Sequence, residues 1–155
     1  RAFTVGNVRW AVTEPVAVAL YRLPFEILAV TTIASVSIGL ARRFFELARE
    51  LPRWETLGTR QRQADAVAEY RGLFYLLAER AWSHVQAGAE FPATEKEVII
   101  QGVRRLVSAS VAAVQDVFAY MGMRVLWETE PINRVYRDLQ TASQHIFLRP
   151  PETGT

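Results

Sequence analysis

TEKEVIIQGVRRLVSASVAAVQDVFAYMG, residues 94–122, is the stretch whose reading decides the fold. Ile99, Val103, Leu106, Ser110, Val114, Val117 and Met121 recur at threes and fours, which places them along one stripe of a helix and excludes the alternation of a strand. Thr94 and Glu97 have the spacing of a capping box, in which hydroxyl and carboxylate each satisfy a free backbone N–H at the helix start. Gly122 is a natural stop, because a helix commonly ends on a residue in the left-handed region.

The same period extends outward in both directions. Upstream, Pro24 to Leu51 carries Leu28, Ile33, Val36, Leu40, Phe44 and Leu47 as its apolar stripe and is closed by Pro52. Thr59 to Ala87 follows with Val67, Phe74, Leu77, Ala81, Trp82 and Val85, until Gly88 and Pro92 break it. Downstream, Pro131 suits the first turn of a helix, where its missing N–H costs nothing. Ile132, Val135, Leu139, Ala142 and Ile146 mark the inner face of that fourth helix, and Pro150 with Pro151 closes it. Three of the helices are about 28 residues, roughly 40 Å at 1.5 Å per residue. Short connections and one longer loop, Met123 to Glu130, predict an all-α, antiparallel, up-and-down four-helix bundle over residues 24–149, with 150–155 as a tail.

Residues 1–23 stand outside this pattern. Phe3 to Val5 and Val8 to Trp10 flank Gly6-Asn7, a pair suited to a tight hairpin turn. The segment reads as a linker or the end of an N-terminal β-domain belonging to a longer chain, since the sequence opens at Arg1 with neither an initiator Met nor a signal peptide.

Composition narrows the function classes. Cysteine is absent and the two histidines, His84 and His145, are far apart, so neither a disulfide framework nor a Cys/His metal site is expected. A cytoplasmic setting agrees with that. The net charge of +2 is small and the arginines are scattered, so no nucleic-acid footprint is expected. The uncharged run Ile27 to Ala41 is shorter than the roughly 18 apolar residues of a spanning helix. It reads as a core helix or one covered by another subunit, with no membrane as partner.

Chemistry concentrates in PINRVYRDLQTASQH, residues 131–145. On a helix Arg134 can pair with Asp138, while Arg137, Thr141 and His145 form a second polar stripe. By spacing alone this is a solvated face or an ion pair that aligns the helix.

These residues also resemble the last motif of the acyl-CoA dehydrogenase superfamily, in its second type of C-terminal domain, the type found in two-component flavin-dependent monooxygenases. Gly122, Pro131, Arg134, Tyr136, Arg137, Asp138 and His145 fall in register with that motif. Leu20-Tyr21-Arg22-Leu23-Pro24 and Gly39-Leu40-Ala41-Arg42 are similar to the family's entry into helix one and its end. The resemblance implies a flavin cofactor, FMN or FAD, held with the help of Gly122, Met123, Arg124, Arg137 and Thr141, and it makes His145 the catalytic candidate. In the related monooxygenases a His here lies against the isoalloxazine ring, assisting substrate deprotonation or stabilising the flavin peroxide.

Two positions depart from the pattern. Met123 and Arg124 replace a Gly and a small hydroxyl residue where the family's backbone approaches the flavin phosphate. Arg124 either supplies a charge-assisted contact there or is a solvent-exposed loop residue. Ile146 occupies the place where dehydrogenases with their base on this helix have a Glu, and no carboxylate follows until Glu152.

The implied function is the C-terminal domain of the oxygenase component of a two-component monooxygenase acting on a small organic substrate, inactive as this piece alone. The implied partners are further copies of itself in a tetramer, the N-terminal domains of the same protein and a separate flavin reductase. The alternatives are a flavin-dependent acyl-CoA dehydrogenase and a non-catalytic helical oligomerisation domain. His84, near the end of helix two, is expected to meet free carbonyls. Trp54, Trp82 and Trp127 are expected in the core or an interface.

Overall fold

The computed structural model describes residues 2–5, 8–11, 19–88 and 90–149, with side-chain surroundings from residue 20 onward. Strands β1 (Ala2–Val5) and β2 (Val8–Ala11) pair antiparallel with Val5 opposite Val8, while the tight turn expected at Gly6-Asn7 lies outside the described residues. Four helices then form the bundle: α1 (Phe25–Ala48), α2 (Arg60–Gln86), α3 (Ala93–Phe118) and α4 (Pro131–Ser143). Short 3-10 turns precede α1 (Ala19–Arg22), link α1 to α2 (Pro52–Thr56) and lead toward α4 (Met123–Leu126).

α1 lies at the centre and packs chiefly against α3 and α4. Its inner face is built largely from small residues. Ile27, Ala34, Ala41 and Ala48 are fully buried at a seven-residue period, and Val30, Ser37 and Phe44 follow the same period between them. That is a coiled-coil-like seam in which alanines let neighbouring helices come close. Leu28 and Val36 fall on the outside, with Val36 53% exposed. Both belong to the apolar stripe, but the seam is set by the small residues beside them.

Other helix limits also shift. α3 starts at Ala93 behind Pro92 with no side-chain cap, so Thr94 and Glu97 form no capping box. Glu97 instead accepts from the Gln101 side chain. α1 stops at Ala48, short of Pro52, and α4 stops at Ser143. Ile146, expected inside, is 76% exposed.

The interior divides into two halves along the bundle. One gathers Phe44, Phe45, Trp54, Val114, Ile132 and Leu139. The other gathers Ile27, Ile38, Phe74, Ile99, Val103 and Leu148. Fully burying one such side chain stabilises the fold by about 1.5–3 kcal/mol. Ser37 and Ser110 are also buried in the bundle, each donating its hydroxyl to the carbonyl four residues back, Ile33 at 3.3 Å and Leu106 at 2.8 Å. At Gly102 on α3 an added Cβ would come within 2.8 Å of Leu77, which shows how closely α2 and α3 approach.

By length and composition α1 could cross a membrane. Within the bundle its seam is buried, and the remaining apolar surface faces outward with Leu73 and Leu76 of α2 also exposed.

Candidate functional site

At one end of α4 lies the glycine turn. α3 ends at Phe118, and Gly122 adopts φ 84°, ψ 179°, a conformation essentially restricted to glycine. Beyond it the 3-10 turn is pinned by buried Val125, whose carbonyl accepts from the buried Asn133 side chain at 3.0 Å. Met123 is 77% exposed. Arg124 turns back to Glu130 at 2.7 Å, so its charge is already met within the loop. A cation outside the expected set lies against the glycine: a Cβ on Gly122 would sit 3.5 Å from Arg53 Nε. No local motif singles out Arg53, which arrives through the turn after Pro52.

Along α4 the two polar stripes are exposed. Arg134 and Asp138 stand 3.9 Å apart, a loose surface pair of small energetic weight. Arg137 is solvent-facing, and Thr141 donates its hydroxyl to the Arg137 carbonyl at 3.0 Å. Tyr136 faces the other way and stacks on Phe118 with centroids 3.7 Å apart. Its place in the motif is therefore one of packing α4 onto α3.

His145 lies past the far end of α4, so the stripe from Arg137 through Thr141 does not reach it on continuous helix. Its N–H donates to the Ala142 carbonyl at 3.2 Å in a closing turn, and its side chain is exposed. The thirteen residues of α4 separate it from the glycine turn, about 20 Å at 1.5 Å per residue. The candidate residues therefore line one edge of the domain from end to end. Gly122, Met123 and Arg124 cannot touch the same small ring as His145 within one chain.

His84 has its own setting. Its Nε2 lies 3.4 Å from Glu95 and its ring lies against Phe91, so its neighbours are a carboxylate and an aromatic rather than the helix-end carbonyls expected. Arg80 joins Glu95 through both guanidinium and carboxylate arms, and this hydrogen bonding holds the Glu95 carboxyl below its ordinary value. Trp54 is in the core, whereas Trp82 and Trp127 are exposed in the single chain.

A guanidinium, a hydroxyl, an imidazole and an open glycine backbone suit a ligand with a phosphate and a polar aromatic edge. They are exposed along α4 and the turns at its two ends. Two hollows of about 290 and 240 Å³ open elsewhere, between α1 and α2, and these residues line neither. As one wall of a flavin site the donor set fits; as a complete site it does not. No group of three or more His, Cys, Asp or Glu side chains that could hold a metal occurs among the described residues.

Residues 31–150 match the family model described as acyl-CoA dehydrogenase, C-terminal domain. Over 88 residues, 54% of this chain, the sequence is 33% identical to indole-3-acetate monooxygenase of Pseudomonas putida. That match takes in 21% of the relative, so the chain spans about a fifth of the relative's length.

Proposed function

Because this chain belongs to the family of acyl-CoA dehydrogenase C-terminal domains, we propose that it is the C-terminal part of the oxygenase component of a two-component flavin-dependent monooxygenase. The family and the relative point to flavin-dependent oxidoreductases. The oxygenase reading rests on one observation: His145 is exposed on an ordered turn, and the position beside it, where a dehydrogenase of this kind carries its Glu, is Ile146. The relative's name supports the same choice. A dehydrogenase remains the second reading, favoured by the description of the matching family.

Bound FMN or FAD, reduced by a separate reductase, would supply the two electrons with which one atom of O₂ enters a small organic substrate and the other leaves as water. The chain's own contribution is a wall. Arg137 and Thr141 offer charge and hydroxyl to a polar ligand edge, the Gly122 to Arg124 turn offers backbone to a phosphate, and His145 places an imidazole at the far end. The N-terminal domains and a neighbouring copy would close the site. The exposed Leu28, Val36, Leu73 and Leu76 supply apolar surface for such copies, in an assembly proposed to be a cytoplasmic tetramer.

In the full-length protein, His145→Ala should lower product formation by 10²–10⁴, about 3–5 kcal/mol of barrier, while flavin affinity changes little. Single-turnover oxidation of the reduced protein should then release hydrogen peroxide without product. Unchanged coupling in a folded variant would remove His145 from the site. The chain alone should bind flavin no tighter than about micromolar, and a yellow purified chain would contradict the picture of a single wall. Sedimentation at high concentration should show association, and a clean monomer would count against the tetramer.

A further inference from the structure

His145 is exposed, yet the turn that carries it is tied to the domain from three directions. Leu148 is buried in the half-core of Ile27 and Ile99. Arg104 of α3 donates its Nε to the Phe147 carbonyl at 2.9 Å. The Phe147 ring meets Phe25 of α1 edge-on at 5.9 Å. Inside the turn the Leu148 N–H donates to the His145 carbonyl at 2.8 Å. The Phe147 N–H donates to His145 Nδ1 at 3.3 Å, and the Phe147 ring lies nearly parallel to the imidazole, 16° from it.

A neutral imidazole carries a single N–H, and a ring nitrogen that accepts a hydrogen bond cannot be the one that bears it. With Nδ1 accepting from Phe147, the proton resides on Nε2. We propose that Arg104, acting through the Phe147 carbonyl, holds this turn so that neutral His145 presents Nε2–H outward as a donor, and that the ligand group it meets is an acceptor, a phenolate, carboxylate or carbonyl oxygen. Abstraction of a proton by Nε2 would require the ring proton to move to Nδ1. There it would point at the Phe147 N–H, two donors facing each other with neither satisfied. Arg104 is a positioning residue, since it reaches no ligand itself. The ligand assignment rests on His145 lying in the proposed flavin site; the tautomer does not.

The test is the nitrogen spectrum of the His145 ring in the ¹⁵N-labelled chain, recorded where the imidazole is neutral. Nδ1 should be the pyridine-type nitrogen and Nε2 the N–H nitrogen. Two equal, averaged shifts, or the reverse assignment, would overturn the proposal. Arg104→Gln, with helicity checked by circular dichroism, should move the ring toward a mixture of tautomers, and an unaltered tautomer would remove Arg104 from the account. Should that variant fail to fold, Arg104→Lys keeps the charge but not the fixed fork and should show the same drift. In the full-length protein His145→Gln, which can still donate, should retain product formation within about tenfold of the parent, against the 10²–10⁴ loss expected of His145→Ala. A loss as large as that of His145→Ala would overturn the donor role. If His145→Ala had no effect while the tautomer stood as stated, the flavin-site reading alone would fall.

Discussion

The two halves of the bundle are built differently. The half around Phe44 and Trp54 is aromatic: Phe44 meets Phe45 edge-on at 5.4 Å, Phe45 meets Trp54 at 6.3 Å, and Phe118 stacks on Tyr136. The half around Ile27 and Ile99 is mainly aliphatic, with Phe74 as its buried ring and Phe91 and Phe147 partly buried at its margin. The aromatic half supports the Gly122 turn, through Val125 and Met121, and the aliphatic half supports the His145 turn, through Leu148. Each end of the candidate edge therefore stands on its own set of buried side chains. Damage to one half should reach one end of the edge before the other.

The largest expected effect comes from Phe44→Ala, which removes a fully buried ring. It should cost about 3–5 kcal/mol in urea unfolding. Hydrogen exchange should show lost protection at residues 118–126 well before 144–149. Equal loss at both ends would mean that the halves open as one unit and that the division is only geometric.

Leu148→Ala should cost about 2 kcal/mol, the low end for a leucine core site, because it lies at the bundle's edge. Its local effect should be the mirror image: loosening of the His145 turn, seen as averaging of the imidazole shifts, with the Gly122 loop unchanged. A variant that loosens both would again join the halves.

Gly122→Ala should cost about 1–2 kcal/mol, since φ 84° with ψ 179° is strained for any side chain. The expected damage is confined to the glycine turn, and amide shifts beyond Asn133 should stay in place. A fully tolerated alanine would mean that the turn relaxes to another conformation.

Acid should have the smallest effect, and each half offers a carboxylate to follow. Glu46 is held below its ordinary value by hydrogen bonding to Arg43 and Arg42, and Glu95 by hydrogen bonding to Arg80. A carboxyl lowered in the folded state stabilises the fold above its unfolded value. That contribution is lost as pH falls through the folded value. For exposed pairs the loss is about 0.2–1 kcal/mol each. Glu95→Gln should therefore flatten the fall of melting temperature between about pH 5 and 3 relative to the parent chain. An identical acid slope in both would show that the Arg80 pair contributes nothing to stability.

Much of the fold is legible in local signals. Pro24, Pro92 and Pro131 stand just ahead of or at the first turn of α1, α3 and α4, and Gly88 takes the positive φ expected of a helix terminator behind α2; Gly122 also has positive φ, but α3 stops at Phe118, short of it, and the glycine opens the next turn instead. The stripe of α3 is buried as its period implies, with Leu106 half-buried. α1 was harder to orient because it is apolar on both sides, so its period alone names two faces. The alanine seam becomes evident only when α3 and α4 are placed against it.

The site residues divide along the same line. Gly122 is recognisable because a backbone requirement is written into a single residue. Arg53 and Arg104 are not, since each acts on a residue distant in the chain: Arg104 reaches Phe147, 43 positions away.

By itself, then, the sequence determined four helices, their approximate limits, an antiparallel bundle and, through its motif, membership of a family, because proline and glycine turn chemistry and periodicity are local properties. Tertiary structure alone decided which face of α1 is inside, that α4 ends at Ser143, and that His145 sits on a separate pinned turn about 20 Å from the glycine turn. The physical reason is that these outcomes depend on what packs against a segment. Leu148 can hold the chain out of helix after Ser143 only where Ile27 and Ile99 give it a buried place to dock.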